Sequence, residues 1–168
     1  MFLDEMGVQS GLTRLRGWAH EGERLIEATP GGKWHMSTLV QAIGLDGIRA
    51  AMVLDGPINA CCFAGFCDWL LAPALYPSDI VVMDNLSSHH SAAAIAAIEA
   101  VGARVVYLPP YSPDLNPIEN IFSKVKQLFR KLRPQNYRQI VRAAKWVLHQ
   151  ITLDDIESVY LHCGYAGT

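Results

Sequence analysis

Apolar residues along this chain gather in short runs of two kinds. Met1 to Asp4, Lys33 to Ile43, Ile48 to Leu54, Asp79 to Met83 and Arg104 to Leu108 are brief apolar stretches bounded by turn residues, the pattern of strands. Gly44-Leu45-Asp46-Gly47 is a turn that makes the second and third of these an antiparallel pair. Residues 11 to 29 carry Arg14, Arg16, Trp18, Arg24 and Ile26 in short segments and read as a hairpin. The other runs have helical spacing. Asn59 to Leu71 repeats Phe63, Phe66 and Leu70 and is closed by Pro73 and Pro77. Ser91 to Val101 is alanine-rich and stops at Gly102. Ile118 to Leu132 sets Ile121, Val125, Leu128 and Phe129 on one face. Arg138 to Ile151 and Leu153 to Leu161 are two further helices, and the proline-rich Pro109 to Pro117 is a loop.

Strands in a meander, followed by helix, strand, helix, strand and helix, is the element order of the ribonuclease-H-like fold. The expected architecture is therefore α/β, a mixed five-stranded sheet with flanking helices. It forms one domain over residues 1–168, extended from about residue 136 by the last two helices. In that fold the first and fourth strands lie side by side and parallel, and α/β sheets bind ligands at the carboxyl ends of their strands. Asp4 and Asp84 each close an apolar run, and Glu119 opens a helix after the proline-rich loop. The order of elements brings all three carboxylates to one sheet edge.

Composition narrows the setting. Hydrophobic residues make up 51% of the chain and charged residues 18%, enough apolar surface for a core and too little charge for a disordered chain. Cys61 to Leu75, the best membrane candidate, is short and broken by Asp68 and Pro73, and no secretory signal is visible at the N-terminus. Cys61, Cys62, Cys67 and Cys163 lack zinc-ligand spacing and read as buried thiols of a reducing cytoplasm. Trp18, Trp34, Trp69 and Trp146 read as core or interface residues rather than base-stacking ones. Net charge is −2, yet Asn120 to Leu153 contains no acid and eight cations, including Lys124, Lys126, Arg130 and Lys131. A charge run is ordinarily a solvated face. One that begins directly after a clustered Glu favours phosphate contact, with Lys124 and Lys126 the foremost candidates.

Two aspartates and a glutamate at one edge suit phosphodiester chemistry. Two Mg²⁺ ions ~3.5–4 Å apart activate the attacking hydroxyl and stabilise the leaving oxygen, and Mg²⁺ prefers carboxylate oxygens. Asp84 would bridge the ions, with Asp4 and Glu119 completing either side. Mn²⁺ fits the same ligands. Each residue also has a structural reading. Asn116 and Glu119 have the spacing of a capping box, Asp84-Asn85 suits a turn, and Asp4 suits an exposed terminus. Asp55, before Gly56-Pro57, also ends a strand and competes with Asp4. His89 would contact a phosphate or a metal-bound water, or else cap the helix at Ser91, and His90 has a weaker claim to either role. Glu5 would point away from Asp4, because neighbours on a strand alternate faces.

Asp84-Asn85, His89 and Leu108-Pro109-Pro110-Tyr111-Ser112-Pro113-Asp114-Leu115-Asn116-Pro117-Ile118-Glu119 resemble the DDE superfamily of endonucleases, and within it mariner-like bacterial insertion-sequence transposases. Phe2-Leu3-Asp4-Glu5 matches the segment of the first acid and Leu54-Asp55-Gly56-Pro57 the third strand. The resemblance implies a metal-dependent enzyme that cleaves double-stranded DNA at transposon ends and joins the 3′-hydroxyls to target DNA. It places Asp4, Asp84 and Glu119 at the catalytic acids and Asn85, His89 and Asn116 at neighbouring motif positions. It implies a homodimer working at the bacterial nucleoid in the cytoplasm, with no membrane partner. Such proteins carry N-terminal helix-turn-helix domains, and only three residues precede Asp4, so this reading expects a catalytic half lacking the DNA-binding region. The alternatives are a structure-selective nuclease without strand transfer, and an inactive remnant that binds DNA or dimerises.

Overall fold

The computed structural model describes residues 1–28, 31 and 34–165. Five strands form one sheet: β1 (Phe2–Gln9), β2 (Met36–Gly44), β3 (Gly47–Asp55), β4 (Ile80–Met83) and β5 (Arg104–Tyr107). Their spatial order is β3-β2-β1-β4-β5. β1, β2 and β3 are an antiparallel meander, whereas β4 and β5 run parallel to β1. The helices are α1 (Ala60–Phe66), α2 (Ala92–Ala100), α3 (Pro117–Leu132), α4 (Tyr137–Leu148) and α5 (Leu153–His162). This is the expected ribonuclease-H-like arrangement. α1 continues through a wide turn, Cys67–Leu71, and a tight one, Ala72–Ala74, around Pro73.

Alternation along β1 divides the interior in two. Phe2, Met6 and Val8 join Leu39, Ile43 and the buried faces of α3, α4 and α5 in one core. Leu3 joins Val40, Ala42, Phe63, Val81 and Ile98 in the other, beneath α1 and α2. The sheet is thus covered on both sides. Val125, Phe129, Ile140, Val147 and Ile156 are all fully buried in the first layer. α4 and α5, the helices that extend the domain from about residue 136, therefore pack on and close this same core.

Several expectations need correction. β1 runs on to Gln9, so Asp4 lies within a strand and not at its end. Residues 12–28 form no strand and no hairpin. With no apolar alternation to cover a sheet face, this segment lies exposed outside the sheet, and Trp18 is 98% exposed. β2 begins at Met36, and Lys33, the expected start, lies outside the described residues. None of the four tryptophans is in the core, because all sit on outward faces or in the exposed segment. Cys61 is also exposed, on the outer face of α1, while Cys67 and Cys163 are buried. Among the described residues no helix is long and apolar enough to cross a membrane.

Candidate active site

Strand register brings the first two acids together. Phe2 of β1 pairs with Val82 of β4 in parallel. Two residues on along each chain, Asp4 is therefore level with Asp84. β4 stops at Met83 while β1 continues, so Asp4 flanks the point where its neighbour strand ends. The pleat puts Asp4 on the same face as Phe2, the face covered by α3. α3 begins at Pro117, whose fixed φ suits the first helical position, and Glu119 stands in its first turn. Asp4, Asp84, Asn116 and Glu119 line one cleft of about 440 Å³, walled on the far side by Pro109 and Tyr111.

Asp4 is 6% exposed. Its Oδ2 accepts a 2.7 Å hydrogen bond from Asn116 Nδ2, and its Oδ1 accepts one of 2.7 Å from the Glu5 amide. Burial pushes its carboxyl up to about 7. The Glu5 amide opposes that rise, and the charges of Asp84, Glu119 and Glu5 add to it. The Asn116 contact overturns the capping-box reading. Asn116 is the N-cap residue of α3, but its side chain makes no cap hydrogen bond and reaches across to Asp4 instead. Its Oδ1 is buried and has no partner among the described residues.

Asp84 is half exposed, and its Oδ1 accepts from the Leu86 amide at 2.9 Å. The same oxygen lies 2.7 Å from His89 Nδ1. That hydrogen bond holds Asp84 below the ordinary carboxylate range. Asn85 points elsewhere and donates to the Leu108 carbonyl at 2.6 Å, tying the end of β4 to the start of the proline-rich loop.

His89 does neither of the things expected of it. Its side chain is 0% exposed, so it reaches no phosphate and no solvent-facing ligand. Ser91, not His89, caps α2, accepting from the Ala94 amide. Both ring nitrogens of His89 face carboxylates, with Nε2 2.8 Å from Glu5 Oε2. Burial would lower its pKa, but the two carboxylates reverse this and raise it to about 10, making it a buried imidazolium. Glu5 does turn away from Asp4, as alternation requires, and that turn delivers it to His89. No local signal announces the contact, because the partners are 84 residues apart. His90 is exposed and stacks on Tyr107 at 4.5 Å.

Asp55 is removed as a rival to Asp4. It pairs with His35 at 2.7 Å at the end of β3, which is separated from β1 by β2. Of the cations on α3, Lys124 forms an ion pair with Asp155 of α5. Glu119, Ser123, Lys126 and Arg130 recur at helical spacing and share a stripe, while Lys124 and Lys131 project to another side. Lys126 and Arg130, rather than Lys124, continue the line of the acid cleft.

The donors fit a hard divalent cation. They are carboxylate oxygens plus the orphaned Asn116 Oδ1. No cation among the described residues pairs with the buried carboxylate of Asp4. Among the described residues no three acid, His or Cys side chains are gathered tightly enough to hold an ion as they stand. The acids share the cleft walls without yet meeting at a point.

The fold is similar to that of several solved structures. These include a Mos1 transposase paired-end complex with left transposon end (TM-score 0.72, 19% identity, 94% of this chain and 50% of that one). A Mos1 mariner paired end complex with Mn gives a TM-score of 0.70 at 17% identity, over 97% of this chain and 53% of that one. The catalytic domain of Mos1 mariner transposase gives 0.66 at 16% identity, over 97% of this chain and 78% of that one. The chain thus spans about half the length of the transposases in the two complexes. No curated protein matches its sequence. The family model described as DDE superfamily endonuclease, however, matches residues 1–141, and with that match over most of its length the chain belongs to the DDE superfamily of endonucleases.

Proposed function

We propose that this chain is the catalytic domain of a DNA transposase, with Asp4, Asp84 and Glu119 as the acids that hold its divalent metal. One observation carries the reading. Three carboxylates from β1, the end of β4 and the start of α3 line one cleft, and burial raises the most buried of them to about 7, with the charges of the other acids adding to the rise. Mg²⁺ or Mn²⁺, as two ions, would activate the attacking hydroxyl and stabilise the leaving oxygen there. The chain's own residues prepare that chemistry. Asn116 and the Glu5 amide fix the Asp4 carboxylate. Asp84 has Oδ1 engaged by the Leu86 amide and His89, which would leave Oδ2 for the metal. Asn85 anchors the proline-rich wall through Leu108.

The substrate in this reading is double-stranded DNA, first a transposon end and then a target. Lys126 and Arg130 contact its backbone along the line of the cleft, Lys131 reaches it only from another side of α3, and Lys124 does so only on leaving Asp155. Transposition needs two ends held together, and a homodimer is the working form that the family resemblance implies. The test is Mg²⁺- and Mn²⁺-dependent cleavage and strand transfer on a pre-nicked transposon-end duplex, run beside Asp84→Ala and Glu119→Ala. Metal-dependent products that vanish in both variants are expected. Nicking without joined products would make the chain a nuclease and not a transposase. A folded chain that binds no metal would make it an inactive member of the family.

A further inference from the structure

Asp84 is held from behind by residues that never reach the cleft. His89 sits on the turn after β4, fully buried, with its ring 4.6 Å from that of Phe63. Its backbone carbonyl accepts from Tyr107 Oη at 3.0 Å, which ties the turn to β5. The imidazole spans two carboxylates, Asp84 Oδ1 at 2.7 Å and Glu5 Oε2 at 2.8 Å. Glu5 is itself only 12% exposed and arrives from β1, on the pleat opposite Asp4. Asp84 Oδ1 thus accepts from the Leu86 amide and lies 2.7 Å from His89 Nδ1, which also reaches the Asp84 backbone carbonyl at 3.2 Å.

We propose that Glu5 and His89 are positioning residues that lock the Asp84 carboxylate by one oxygen and so aim the other at the metal. This rests on the reading of Asp84 as a metal ligand. Consecutive residues of β1 would then set two of the three acids. Asp4 enters the cleft itself, and Glu5 acts through the buried imidazole on Asp84. The alternation of a single strand makes the division, since residues 4 and 5 must face opposite sides. A carboxylate left free to rotate about its side-chain bonds must be ordered by the metal, which weakens binding. Groups that orient metal ligands from behind typically contribute ten- to a hundredfold in metal affinity.

The experiment is Mn²⁺ titration of the whole chain by calorimetry and electron paramagnetic resonance, with thermal melting of every variant without metal. The variants are Glu5→Ala, Glu5→Gln, His89→Asn and Asp84→Ala. The expected result is Mn²⁺ binding by the wild-type chain that is lost in Asp84→Ala. Glu5→Ala and His89→Asn should bind about tenfold or more weakly. Glu5→Gln, which keeps an acceptor for His89 and nearly the same shape, should recover most of the affinity. A purely structural role would lower melting temperature and leave the affinity of the folded fraction unchanged, and that result overturns the proposal. Equal affinity in wild type, Glu5→Ala and Glu5→Gln overturns it as well, while leaving Asp84 as a ligand if Asp84→Ala still fails to bind. Wild-type binding that survives Asp84→Ala, or no wild-type binding at all, removes the metal-site reading and this inference with it.

Discussion

At the scale of single residues, Asp4 and His89 are two site groups whose protonation the fold shifts strongly, and their effects fall in different pH windows. Asp4 is raised from 3.8 to about 7, so the fold favours its protonated form. The stability this contributes is present below 3.8 and is lost as pH rises through about 7. His89 is raised from 6.5 to about 10, so its contribution is present below 6.5 and is lost as pH rises through about 10. Denaturant midpoints of the metal-free chain from pH 4 to 10 should therefore contain both declines. The difference between the wild-type chain and Asp4→Asn isolates the lower one, which should amount to roughly 2–4 kcal/mol between pH 4 and pH 8. Parallel profiles for the two proteins would show that Asp4 titrates normally. Asn116 belongs to the same account. Asn116→Ala removes the side-chain amide that donates to Asp4 Oδ2 and should cost about 1–3 kcal/mol in stability, read from the same denaturation curves.

At the scale of elements, α3 does three tasks with three faces. Ile118, Ile121, Phe122, Val125 and Phe129 fill the core, and Phe129→Ala should cost about 3–5 kcal/mol in a chemical melt. Lys124 is matched by Asp155, a partly buried but still solvent-screened pair whose removal should change stability by about 1 kcal/mol or less in a double-mutant cycle. The stripe from Glu119 through Ser123 to Lys126 and Arg130 faces the way the acids do. Lys126→Ala should weaken binding to any duplex and reduce the slope of affinity against salt by about one, whereas Lys124→Ala should leave the slope nearly unchanged. Filter binding at several salt concentrations separates the two, and identical slopes would show that the stripes do not divide the work. Helical periodicity was legible along α3, but which flank faces the cleft was not. That depends on how the helix is rotated against β1, and the rotation is set by which side chains the sheet can bury.

At the scale of the whole molecule, the C-terminal helices are part of the machine that holds the site. Tyr160 of α5 donates to the Ile43 carbonyl at 3.0 Å, and its ring meets Phe2 edge-on at 5.3 Å, two residues from Asp4. Tyr165 Oη donates to the Leu115 carbonyl at 2.8 Å, just ahead of Asn116. Removing residues 137–168 would expose Val125, Phe129 and Leu39 together, so the shortened chain should lose its cooperative thermal transition by circular dichroism. A sharp transition in the truncated protein would mean that the sheet and α3 fold alone.

Much of this was determined by local pattern. Element order follows from the short apolar runs and their turn residues, because periodicity and backbone chemistry act over a few residues. The three acids stand out because each sits where a run ends or begins. The tertiary structure alone decided the rest. Asp4 proved to be inside a strand, because pairing with β2 extends β1 to Gln9, beyond the initial apolar run. Asn116 was spaced to cap a helix, but its side chain goes to the buried carboxylate of Asp4, which needs a donor. The tryptophans turned outward although their chemistry suits a core. His89, legible only as a reactive group near an acid, became a buried link between two strands. Its partners lie five and 84 positions away, and only the parallel register of β1 with β4 brings them within hydrogen-bonding distance.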